Sequence, residues 1–169
     1  FFFKSMAENS GLIYSVGAGD EPAVTLNLIN YCRRLGLEII CAGKGKNNPL
    51  NLYSNPDDFK KKSLELGVSE QGIASFVDGT KTMLEMALLS NASGIPIDID
   101  GMHGPKINLN SLTSTLIPED KGGILKKAPA IDYVIGDVAP GVFTIFTSKK
   151  KSIIRELNYL KMGKGPYFL

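Results

Sequence analysis

The sequence predicts an α/β domain of the α+β kind, a mixed β-sheet with flanking helices, and three observations point to it. Helix-period and strand-like runs alternate along the chain. The apolar runs end in turns rich in glycine, lysine and acids, as strands that lead into a ligand site do. The chain has 169 residues, 43% of them hydrophobic, which is enough for one sizeable core and too few for two independent domains.

Residues 4–10 read as the end of a helix that stops at Gly11, and residues 12–16 read as a strand. After Gly17, Ala18 and Gly19, Asp20 is placed to cap a helix with Pro22 in its first turn. Val24, Leu28, Tyr31 and Leu35 recur on one face of that helix, and Gly36 ends it. Residues 37–42 form an apolar run broken only by Glu38, so a strand-helix-strand unit with parallel pairing is expected. Asn55, Pro56, Asp57 and Asp58 give a helix start that should run to Leu66, before Gly67, and another helix opens at Ser69. Residues 78–92 have the most regular helical pattern. Gly94, Pro96 and Gly101 then introduce an irregular segment that holds the one histidine, His103. The β-rich runs 130–136 and 142–147 are separated by residues 137–141 and predict an antiparallel hairpin. A last helix covers 150–160, and residues 163–166 turn into a strand that begins at Tyr167.

Lysine and arginine number 19 against 17 acids, a balance that excludes the large basic excess of a nucleic-acid binder and leaves a small anion as partner. Cys32 and Cys41 lie in apolar surroundings without CxxC spacing, so both are expected as buried reduced thiols in a cytoplasmic protein. No run approaches the roughly 18 apolar residues that span a bilayer, so no membrane partner is expected.

Three groups of residues are candidates for chemistry. At about 100° per residue, Asp78, Lys81, Thr82 and Glu85 share one sector of a helix whose remaining positions are mostly apolar. The stripe is either a solvated face with an ordinary Lys81–Glu85 pair, or a site in which Lys81 donates a proton or polarises a carbonyl and Asp78 orients it. Lys44 and Lys46, with Asn47 after them, follow a buried-type strand and suit a phosphate or carboxylate; the plainer reading is a solvated loop. The turn Gly17, Ala18, Gly19 departs from a dinucleotide fingerprint, because Pro22 stands where the third glycine belongs, and Asp20 and Glu21 either cap the following helix or face the site. His103 has no histidine or cysteine near it in sequence and reads first as a structural loop residue. No serine lies in a nucleophile-elbow sequence, so acyl transfer finds no support.

The strings YSVGAGDEPAV, CAGKGKNNPLN, SFVDGTKTMLEMALLSNASG, GMHGPK, DYVIGDVAPGVF and LNYLKMGKGPYFL resemble, in order and over nearly the whole chain, the central region of the homoserine-dehydrogenase-like NAD(P)-dependent oxidoreductases. That family includes the deoxyxylulose phosphate reductoisomerase-like enzymes of isoprenoid precursor synthesis. The resemblance implies a Rossmann domain before this region and a SAF-type domain after it. Residues 1–19 would then be the end of the Rossmann part, 20–164 the catalytic and substrate-binding domain, and 165–169 the start of the next region. It implies that the stripe Asp78, Lys81 and Glu85, the catalytic candidates, and Lys44 with Lys46 line the active site, without assigning their individual roles; Asn47, Asp20, Glu21 and His103 are the further candidates around the substrate. Gly17 and Gly19 become the chain's candidates for contact with NADP or NAD, held mainly by the preceding domain. A divalent metal on Asp78, Glu85 or Asp20 is an option for a reductoisomerase, and a homo-oligomer is expected. A homoserine or sugar-acid dehydrogenase, or a noncatalytic ligand-binding or dimerisation module, are the alternatives.

Overall fold

The computed structural model describes residues 2–13 and 19–169. Seven α-helices and a three-stranded mixed sheet make up the described elements, an α+β arrangement as the pattern predicts. Helix α1 (Phe2–Asn9) ends before Gly11. The strand expected at 12–16 falls largely on residues 14–18, outside the described residues, as does its parallel pairing. Helix α2 (Glu21–Arg34) starts after Asp20 with Pro22 in its first turn and stops before Gly36, so its proline and glycine signals gave its bounds closely.

Strand β1 (Glu38–Lys46) runs four residues past the apolar run and takes in Gly43, Lys44, Gly45 and Lys46. The expected lysine loop is therefore a strand end. A bulge between Ile39 and Cys41 lets Ile40 and Cys41 both pack toward one face, while Ile39 and Ala42 pack toward the other. From Ala42 onward the two-residue period puts Lys44 and Lys46 on the same face as Ala42, the face covered by α2 and by α5 (Thr80–Ser93).

Between them lie a 3-10 turn at Pro56–Phe59 with an Asn55–Asp58 capping box, α3 (Lys60–Leu66), α4 (Glu70–Val77) and the tight junction to α5. The regular helix expected from residue 78 begins instead at Thr80. Asp78 is the C-cap of α4, and Gly79 takes a φ of 92° that disfavours any side chain. The segment 97–106 then bridges the outer edge of β2 (Ala130–Ile135) through Ile97 and Lys106. Helix α6 (Leu112–Thr115) and residues to Leu125 cover the second face of the sheet, with Leu112, Leu116 and Leu125 fully buried.

Strands β2 and β3 (Val142–Thr147) do not form the expected hairpin. The sheet order is β2-β1-β3, with β1 parallel to β2 and antiparallel to β3. Nine residues of β1 offer both edges, and five residues easily cover the roughly 10 Å between strands that flank a third. Residues 137–141 cross the end of β1: Gly45 N donates to Gly141 O at 2.9 Å, and a side chain at Gly45 would meet Ala139 N at 2.3 Å. Helix α7 (Lys151–Tyr159) comes next, and Phe168 pairs with Phe146 on the edge of β3, so the strand expected at the end of the chain is a single bridge. Cys32 and Cys41 are buried free thiols. No helix among the described residues is long and apolar enough to cross a membrane.

Candidate functional site

A lysine near the end of a buried strand needs counter-charges, and here two helices supply them. Lys44, 5% exposed, donates from Nζ to Oε2 of Glu21 in the first turn of α2 and to Oε2 of Glu85 on α5. Burial works against its charge, and the two carboxylates more than offset this, so its pKa stands above that of an ordinary lysine. Glu85 is itself buried, and its other oxygen lies 3.3 Å from Nζ of Lys81, one helical turn back. The Lys81 side chain is 44% exposed, and its ammonium stands 4.7 Å from the centre of the Phe76 ring.

Lys46, two residues along β1 and equally buried, has no carboxylate partner of its own among the described residues. Its Nζ donates to the backbone carbonyls of Asn48, at 2.9 Å, and Phe76. Burial and then the neighbouring Lys44 charge lower its pKa, with Asp78 acting in the opposite sense. The chain around it is pinned where Asn51 N donates to the Val77 carbonyl at the end of α4.

These groups open on two adjoining clefts at the carboxyl end of β1, of about 280 Å³ and 410 Å³. The smaller is lined by Lys44, Lys46, Asn47, Asn48, Thr82 and Pro140 among others, and the larger by Gly19, Asp20 and Glu85. Glu21 and Lys81 line both. Each charged group is anchored on a helix or strand, and the arrangement is suited to bind an anion and to stabilise negative charge developing on an oxygen.

The structure thus brings together Lys44, Lys46, Asn47, Glu21, Lys81 and Glu85, with Asp20 and Gly19 at the rim of the second cleft. Three expectations change. Lys44 is neutralised from two sides rather than free to hold an anion. Asp78 does not orient Lys81, since it lies before α5 and its Oδ1 accepts from Thr80 N at 2.7 Å. His103 stands apart, sharing a 2.7 Å hydrogen bond with Asp98, whose carboxylate also accepts from the N–H groups of Lys126 and Lys127. Its loop is further tied to β2, where the fully buried Asp132 accepts from the N–H groups of His103 and Gly104. Gly17 lies outside the described residues.

The stripe on α5 does set Thr82 and Glu85 apart, but it faces inward while Leu84 and Leu88 of the apolar remainder lie exposed. Asn48, Phe76 and Pro140 escape a reading of side-chain types. The first two contribute backbone carbonyls, and Pro140 arrives through the crossover.

No group of three or more His, Cys, Asp or Glu side chains that could hold a metal ion occurs among the described residues, so Asp20, Asp78 and Glu85 do not form one. The N-terminus of α2 fits the diphosphate of a dinucleotide poorly: its first turn holds Glu21, Asp20 stands at the N-cap position without a side-chain capping bond, and Pro22 lacks an N–H.

The fold is thus an α+β domain with an ion cluster buried beside a cleft at the carboxyl end of its central strand. The chain belongs to the family described as the oxidoreductase DRL, catalytic domain, whose model matches residues 19–169. No curated protein matches the chain.

Proposed function

We propose that this domain binds and orients a small anionic carbonyl substrate for reduction in an NAD(P)-dependent oxidoreductase of the homoserine-dehydrogenase-like kind, with reductoisomerase activity on deoxyxylulose phosphate as the specific reading. The observation that carries the proposal is the Glu21–Lys44–Glu85–Lys81 chain of charges beside the cleft at the end of β1. NADP or NAD supplies the hydride in such a reaction. The N-terminus of α2 fits its diphosphate poorly, so this chain's own work is placed on the substrate side.

Carbonyl reduction leaves negative charge on the substrate oxygen. Lys81, with its ammonium at the mouth of both clefts, meets that charge and donates the proton. Glu85 holds Lys81 in place, and Lys44 fixes Glu85 in turn, so Lys44 is a positioning residue. Lys46 and Asn47 face the anionic end of the substrate. A homoserine-like amino alcohol is the second reading. Its ammonium would need carboxylates; Glu21 and Glu85 are already engaged by Lys44, and Asp20 at the rim of the larger cleft is the one left for it.

The test supplies the full-length protein with NADPH and either deoxyxylulose phosphate or aspartate semialdehyde and measures nicotinamide oxidation. Oxidation with the sugar phosphate alone is the expected result. Oxidation with the semialdehyde alone supports the homoserine reading and overturns the preferred substrate.

A further inference from the structure

Thr82 is 5% exposed and lines the smaller cleft, and its hydroxyl makes no hydrogen bond to another described residue. A polar side chain this buried needs a partner, and the cleft it lines is the place open to one. Thr82 also belongs to the first turn of α5, a 14-residue helix with no acidic residue in that turn. Thr80 N is taken by Asp78 Oδ1, and the N–H groups of Lys81 and Thr82 have no partner within the helix. The junction at Gly79 takes a φ of 92°, which disfavours any side chain there. Lys46 reaches the same junction from β1 through the Phe76 carbonyl, so two ammonium groups flank the helix end.

We propose that the anionic oxygen group of the substrate, a phosphoryl or a carboxylate group, sits at the N-terminal turn of α5, bound by the Thr82 hydroxyl and the first-turn N–H groups between Lys46 and Lys81. This rests on the reading of the cleft as a site for an anionic substrate and adds the place and donors of its anion. The Lys46 ammonium, one hydroxyl and a helix N-terminus form a donor set for anionic oxygens, which leaves the Lys81 ammonium for the reacting carbonyl oxygen. The nearby carboxylates are occupied: Asp78 accepts from Thr80, and Glu21 from Lys44.

The test measures binding of orthophosphate and, separately, acetate to the full-length protein by titration calorimetry, for the unmodified protein and for Thr82→Val, Thr82→Ser and Lys150→Ala. Losing one hydrogen bond to a charged group is expected to weaken binding about tenfold in Thr82→Val. Thr82→Ser keeps the hydroxyl and should bind within about twofold of the unmodified protein, a change well below the energy of one hydrogen bond. Lys150→Ala, at the start of α7, should bind as the unmodified protein does. Orthophosphate binding without acetate identifies a phosphoryl site, and acetate binding that responds to Thr82→Val identifies a carboxylate site. The proposal is overturned if neither ion binds, if folded Thr82→Val binds as tightly as the unmodified protein, or if Thr82→Ser is as weak as Thr82→Val. The two proposals fail separately. Reduction of a carbonyl substrate with an unchanged KM in Thr82→Val sinks the anion site alone, whereas anion binding as expected with no NADPH oxidation sinks the proposed reaction alone.

Discussion

Removing the Lys44 ammonium leaves Glu21 and the buried Glu85 facing each other with only the half-exposed Lys81 as counter-charge. Lys44→Met should therefore destabilise the protein by about 3–5 kcal/mol, the cost of breaking a buried ion pair from one side. Urea unfolding checks this, and a change under about 1 kcal/mol would mean the pair behaves as a surface one. The two strand lysines also respond oppositely to pH. The raised pKa of Lys44 gives stability that is present below the ordinary value of 10.5 and lost as pH rises through its higher folded value. For Lys46 the folded value is lowered, chiefly by burial, so its charge is costly at neutral pH and is lost below 10.5. Anion binding that uses Lys46 should therefore fall at a lower pH than an ordinary lysine would give, and Lys46→Arg should move that alkaline limb upward. Identical limbs in the two proteins would remove Lys46 from the site. Of these residues, the Lys44–Lys46 pair and the Lys81–Glu85 stripe were legible in the sequence. The link between them was not, because Glu21 and Glu85 come from elements 23 and 41 residues away from Lys44.

At the scale of elements, punctuation was the reliable signal. Proline and glycine bounded α2, and the Asn55 box opened the turn before α3. What the pattern missed was tertiary. The alternating glycine and lysine at the end of β1 look like a solvated loop, and only the helices above them make a buried charged strand end favourable. The runs 130–136 and 142–147 are neighbours in sequence, yet β1 lies between them. Their connection has to cross β1 closely, and Gly45 makes that possible. Gly45→Ala would drive a methyl group against Ala139, the residue before Pro140 in the wall of the cleft. The expected outcome is a loss of about 1–3 kcal/mol, the usual cost of overpacking, together with faster amide exchange in 138–141. Exchange unchanged there would show that the crossover does not rest on Gly45.

Across the whole molecule, the sheet places one end of its central strand under two helices and a crossover loop, and the charged cleft lies at that end. That ligands gather at the carboxyl ends of parallel strands is a property of the architecture, and β1 and β2 are parallel. The mixed α+β class came from the alternation of elements, and the location of the site came from the class. Which lysine is neutralised, which one faces the cleft and where His103 goes depended on packing between distant segments. His103 shows the difference: its neighbours Asp98 and Asp132 tie its loop to the edge of β2, a role that the sequence around it does not announce.

The proposed reaction puts Lys81 at the reacting carbonyl oxygen. Turnover by Lys81→Met in the full-length protein, with NADPH binding measured alongside, checks this. Turnover should be lost, by at least the roughly 10²–10³-fold typical of removing a group that stabilises a developing oxyanion, while NADPH binds as before. Turnover at the unmodified rate would remove Lys81 from that role.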